Sequence, residues 1–233
     1  MAASLIAGFS LQLAAGRSSF SAPLLVHAHA VVFMGWIAIY VLQNGLVAAN
    51  QVALHRKLGW IAVGWVFAML ATATAVTLAM VREGRVPFFF QPQQFLIFDP
   101  LSLIMFAGLT FWAVKLRRQT DWHRRLHFCA MSLLLGPGFG RLLPMPLLQP
   151  YAFEATAVPV MAFPVVAMLL DRRRKGYVHP AWWWGLGTIV AYFLLTEGIT
   201  HSPIGDALYH ATVAGSPAAG IDGMAFGAPP PGL

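Results

Sequence analysis

The stretch "LLVHAHAVVFMGWIAIYVLQNGLVAANQVALHRKLGW", Leu24 to Trp60, decides the fold. From Leu24 to about Ala49 it contains no Asp, Glu, Lys or Arg, and it exceeds the roughly 20 residues a helix needs to cross a bilayer. It then meets a basic turn at His55-Arg56-Lys57 and resumes as apolar sequence. The whole chain repeats this pattern. Of its 233 residues, 58% are hydrophobic and only 10% charged, with a mean hydropathy of +0.68, whereas soluble domains carry about 25% charged residues. The expected fold is therefore an all-α, polytopic integral membrane helical bundle of about six transmembrane helices.

The expected spans are Leu24–Ala49, Gly59–Val81, Pro100–Leu116, Asp121–Leu143, Ala152–Leu170 and Ala181–Thr200. Asp99 is read as the cap of the third, with Pro100 in its first turn. "PFFFQPQQFLIF" (Pro87 to Phe98) reads as an interfacial loop. "GPGFG" (Gly136 to Gly140) is expected to distort the fourth span, and Pro159 and Pro164 to bend the fifth. Residues 1–23 form an extracytoplasmic or interfacial segment, 24–201 the transmembrane domain, and 202–233 a Gly/Ala/Pro-rich tail. The tail has too little apolar surface to fold alone and is expected to be disordered.

Charge orients the bundle. Eleven of the fifteen Lys and Arg residues fall in three loops: Arg56 and Lys57; Lys115, Arg117, Arg118, Arg124 and Arg125; and Arg172 to Lys175. Arg17, Arg82, Arg85 and Arg141 fall on or toward the other side. The positive-inside rule then puts the three loops in the cytoplasm of a bacterial inner-membrane protein, facing anionic lipid, with both termini outside. The net charge of +7 belongs to these loops, so no nucleic-acid partner is expected, while protein partners within the membrane remain open. The lone Cys129 excludes an internal disulfide and a cysteine-cluster metal site. No phosphate loop, nucleophile elbow or paired-carboxylate signature is present.

"HRKL" (His55 to Leu58) recurs as "HRRL" (His123 to Leu126), and superposing the two superposes the flanking hairpins. This suggests a parallel repeat related by an axis along the membrane normal. Topology and lipid contact account for the arginines. His127 shares a face with His123 one turn away, but the pair lacks the glutamate of a zinc hydrolase helix.

Within the first span, His29, Trp36, Tyr40 and Gln43 lie on one side of the helix and are expected to face the interior. His27, Asp99, Arg141, Glu154, Glu197 and His201 gather toward the outer side with His29. Arg141 needs an anionic partner, with Glu154 and Glu197 the candidates. His55, His123 and His127 gather toward the inner side. Two readings fit these groups: haem ligation, or interhelical hydrogen bonds and ion pairs without chemistry.

The segments "HAHAVVFMGWIAIYVLQ", "HRKLGW" and "DWHRRLHF", with the later Arg141, resemble uncharacterised bacterial multi-pass membrane proteins of the DUF2306 kind, over about His27 to Leu143. Those families imply no settled activity. Histidines at both membrane faces are also similar to the cytochrome b561 arrangement, which implies haem b. The leading expectation is thus a b-type haem protein moving electrons through intramembrane histidines. His29 with His201 would hold an outer iron, and His55 or His123 with His127 an inner one. The alternatives are a non-catalytic accessory or assembly subunit, and a small-molecule or proton-coupled transporter using Arg141, Glu154 and Glu197.

Overall fold

A computed structural model describes residues 1–17 and 20–229. Its helices are α1 (Ala2–Ala14), α2 (Leu24–Ala48), α3 (Val52–Arg82), α4 (Pro92–Lys115), α5 (Thr120–Leu133), α6 (Gly136–Leu142), α7 (Ala152–Ala155), α8 (Ala157–Lys175), α9 (Pro180–Thr200) and α10 (Pro203–Val213), with a 3₁₀ turn at Met145–Leu148. No strand occurs among the described residues. Four helical stretches are long and apolar enough to cross a membrane: α2, α3, α4, and α7 with α8 (Ala152–Lys175). The protein is a helical, multi-pass membrane protein on that ground. α9 has 21 residues, long enough to span, but its three tryptophans and Glu197 leave it less apolar than those four.

Helix α4 is the centre. Half of its most apolar stretch is buried, against 11% for α2, and it packs on α3, α5 and α9. The apolar side chains that α2 and α3 turn outward, such as Val31, Val41, Trp60 and Phe67, are the surface a bilayer covers. α2 is fastened to α3 by the Trp65 indole, which donates to the Val32 carbonyl (2.7 Å).

Three expectations require correction. First, α4 begins at Pro92, with Gln91 extended before it, so most of the expected loop from Pro87 to Phe98 is helix. Asp99 is consequently an interior residue and not a cap. Pro100 lies inside the helix, which a membrane helix tolerates where neighbours re-satisfy the freed carbonyl. Second, the fourth span is not one helix: α5 stops at Leu133, and α6 restarts at Gly136 with Pro137 in its first turn.

The N-terminal segment forms α1, which packs along α6. A Cβ on Gly8 would come within 2.5 Å of the Gly138 carbonyl oxygen, so this close crossing depends on glycine. Third, the tail is folded against the bundle over the described residues 202–229. Tyr209, Val213 and Ala218 are buried, and α10 caps the ends of α3, α4 and α9. Arg82 donates to the Thr212 carbonyl (2.7 Å), the Gln91 side chain to that of Met224 (2.8 Å), and the Gln93 backbone N–H to that of Gly223 (2.9 Å). The tail needs little apolar surface of its own because the bundle supplies both surface and hydrogen-bond partners.

At the opposite end, Arg125 is the keystone. It is only 2% exposed and its Nη2 lies 2.6 Å from Asp171 on α8, while Nη1 reaches Asp121 at 2.6 Å. The Trp182 indole on α9 donates to the same Asp171 oxygen (2.9 Å). Asp171→Asn should therefore lower the unfolding free energy in detergent by about 3 kcal/mol, because it strips a buried guanidinium of its principal counter-charge. Arg124→Ala, at an exposed pair, should leave thermal unfolding unchanged.

Candidate functional site

The three basic turns meet at one end of the bundle, and the histidines of the repeated motif meet with them. His55 in the first turn of α3 and His123 in the first turn of α5 bring their rings to 6.2 Å between centroids at an interplanar angle of 89°. His127, one turn further along α5, lies 4.7 Å from His123, also perpendicular. The helix periodicity that aligned His123 with His127 is therefore realised, and His55 joins them from another helix.

The nitrogens are not equivalent. His123 Nδ1 sits 2.8 Å from the Ala113 carbonyl oxygen on α4, which fixes that nitrogen as the donor and leaves Nε2 free. His55 Nδ1 is closed off from solvent and has no hydrogen-bond partner. Buried polar atoms are normally satisfied, so an orphan of this kind calls for an explanation. Among the described residues, no group of three or more His, Cys, Asp and Glu side chains is arranged to hold a metal ion directly.

The surroundings are cationic. Arg117 stacks over Trp60 at 5.8 Å, and Arg56 and Lys57 follow His55 directly. In the turn between α8 and α9, His179 stands edge-on to Trp122 at 5.4 Å. Its pKa falls below the ordinary histidine value through burial first and the Arg125 charge second. At the start of α5, exposed Asp121 accepts hydrogen bonds from Arg124 (2.6 Å), Arg125 (2.6 Å) and Lys175 (3.2 Å).

The other end holds a looser set. On α2, His29 stacks on Phe33 at 4.2 Å and its Nδ1 is buried without a partner. Trp36 is buried with its edge toward Phe106 at 5.1 Å, its indole nitrogen likewise unpartnered. The Tyr40 hydroxyl meets Met1 Sδ at 3.8 Å, and Gln43 Oε1 is buried without a partner. The polar stripe thus faces inward as its periodicity suggests. His27 instead lies at the surface, 3.2 Å from the Phe20 carbonyl oxygen.

Asp99 accepts a 2.5 Å hydrogen bond from Thr77 on α3. Arg141 lies within electrostatic reach of both Asp99 and His29 but makes no ion pair among the described residues. It donates to the Pro137 carbonyl (2.8 Å) and lies over the Phe9 ring of α1 at 4.1 Å. Neither Glu154 nor Glu197 serves as its partner, contrary to expectation. Glu197 accepts from Gln94 (2.8 Å) and sits 3.6 Å from His201.

The outer histidine pair is not assembled. His201 is 54% exposed at the end of α9 and turned toward Glu197, whereas His29 belongs to α2, which packs chiefly on α3. His123 and His127 belong to one helix and touch, so they cannot sit on opposite faces of a macrocycle. Residue-by-residue reading also missed the Arg125–Asp171–Trp182 network and the paired amides Gln93 and Gln94. The i, i+4 spacing of Asp121 and Arg125 was the one available signal for the former.

Searches against family models, curated proteins and solved structures gave no match. Thr77→Val should leave the buried Asp99 carboxyl without its donor and cost about 1–3 kcal/mol. Chemical unfolding in detergent measures it, with Thr72→Val as the control, since that hydroxyl returns only to its own helix.

Proposed function

We propose that the chain is a bacterial inner-membrane protein that binds one haem b between His55 and His123 and passes electrons within the membrane. Six spans carry it: α2, α3, α4, α5 with α6, α7 with α8, and α9. Both termini are extracytoplasmic, and the three basic turns lie in the cytoplasm against anionic lipid. The crowding of the basic turns at one end supports this orientation. The meeting of the two His-basic-basic-Leu turns supports a parallel repeat of the α2–α3 and α4–α5 hairpins.

The observation that carries the reading is the His55–His123 geometry. His55 and His123 would hold the haem iron from two different helices, their rings 6.2 Å apart between centroids, and haem would supply one-electron chemistry there. The backbone hydrogen bond at His123 Nδ1 is the usual outer-shell support of a ligating histidine, and ligation would satisfy the orphaned His55 Nδ1. The cationic neighbours Arg56, Lys57 and Arg117 suit anionic propionates. The chain's residues orient the imidazoles and neutralise the propionates. His127 packs edge-on against His123.

A second reading, a transporter of small molecules or protons, draws on the unpaired Arg141 beside His29 and Asp99. An accessory subunit without a cofactor would use the same histidines only as interhelical links. An absorption spectrum separates these. Protein purified in detergent after haem-supplemented expression should show a Soret band that shifts on dithionite reduction. His55→Ala and His123→Ala should each remove it, while His29→Ala and His201→Ala should keep it. A colourless preparation sinks the haem reading.

Orientation has its own test. In a Cys129→Ala background, cysteines placed at Arg118 and Gly176 should react with an impermeant thiol reagent only from the cytoplasmic side. Cysteines at Glu83 and Ser216 should react only from outside.

A further inference from the structure

Helix α8 ends in four consecutive cations, Arg172 to Lys175, and Gly176 stops it in the left-handed conformation at φ 77°. Lys175 is engaged, 3.2 Å from Asp121. The side chains of Arg172, Arg173 and Arg174 are exposed and make no hydrogen bond or ion pair among the described residues. The dipole of α8 favours basic groups in its last turn, but that effect asks for no particular side of the helix.

The position of Arg173 adds what a charge count does not. Val166, Leu169 and Leu170 are exposed apolar side chains of α8, and Arg173 follows them at the i, i+3, i+4, i+7 spacing of one helix face. One outward stripe of α8 therefore passes from aliphatic to cationic where the helix ends, while Asp171 is turned inward to Arg125. At the same end, the start of α9 presents Trp183 and Trp184, both exposed. Amphipathic rings of this kind favour the headgroup layer of a bilayer. An amphiphile with its chains along the aliphatic part of the stripe would bring its phosphate to Arg173.

The nearby acids decide the charge of the headgroup. Asp171 Oδ2 already accepts from Arg125 and Trp182, and Asp121 Oδ1 from Arg124, Arg125 and Lys175. A zwitterionic headgroup would bring its ammonium among three unpaired guanidiniums, with both carboxylates engaged. A phosphodiester without an ammonium would meet only donors, and a guanidinium can bind a phosphate through two parallel hydrogen bonds.

We infer that the outward face of the α8–α9 turn binds one anionic phospholipid, its phosphate on Arg173 flanked by Arg172 and Arg174, and its chains along Val166, Leu169 and Leu170. The inference deepens the lipid-facing orientation proposed above and does not involve the haem. The cysteine labelling described there reads orientation without added lipid, so the two fail separately.

The test uses the delipidated full chain in detergent, mixed with phosphatidylglycerol, with phosphatidylcholine of the same acyl chains, or with glycerol phosphate as the free headgroup. Native mass spectrometry counts the lipids retained. One phosphatidylglycerol is expected, bound saturably, with no retained phosphatidylcholine and no displacement by glycerol phosphate at equal concentration. Arg173→Gln should weaken retention about fivefold. Arg118→Gln removes the same charge from another basic turn, where the side chain is likewise exposed and unpaired, and should leave retention unchanged. Neither side chain bonds within the protein, so both variants keep the fold. Equal retention of the two lipids, the same retention in both variants, or displacement by glycerol phosphate overturns the proposal.

Discussion

The arrangement depends on one buried guanidinium. Arg125 lies on α5, a helix of only 14 residues that breaks at Leu134–Leu135, and it reaches Asp171 on α8 while Trp182 on α9 reaches the same oxygen. A buried ion pair contributes little net stability against an apolar replacement, yet removing one partner is costly. Its effect is to specify: α5, α8 and α9 must meet in the one register that satisfies all three groups. That register fixes the face of α5 on which His123 and His127 lie. It also sets α8 beside α9.

Much of this was legible in the chain. Apolar blocks gave the helices, and basic turns gave the end at which they meet. The repeated motif put His55 and His123 in equivalent turns, but the expected pairing is of either with His127, and the meeting of His55 with His123 is seen only in the fold. Three features were not legible, for physical reasons. A proline in an apolar stretch is compatible with a first turn or with a membrane-helix interior, so Asp99-Pro100 could not tell a cap from a buried acid. Arg125 is one of five basic residues in a short interval, and composition does not reveal which of them faces inward. The tail from Ser202 is poor in large apolar residues, and only Tyr209 and Val213, four apart, mark the face that docks on the ends of α3 and α4.

Packing at the α1 and α6 side has a different origin. α1 and α6 are both too short to cross a bilayer, and each covers the other through Gly8 and Gly138. Phe9 then roofs Arg141. Association in lipid draws on close contact between small residues and not on hydrophobic burial, which explains why α1, rich in small residues, has a fixed position. The polar stripe of α2 faces this region through His29, with Tyr40 against Met1.

Electrostatics distinguish the two ends of the bundle. The histidine end is ringed by most of the chain's Lys and Arg residues, and such a field disfavours a bare divalent cation while favouring a group with anionic substituents. The other end carries Glu154 and Glu197, with His201 3.6 Å from Glu197. Within a low-dielectric bundle such differences persist over distances at which exposed charges would be screened.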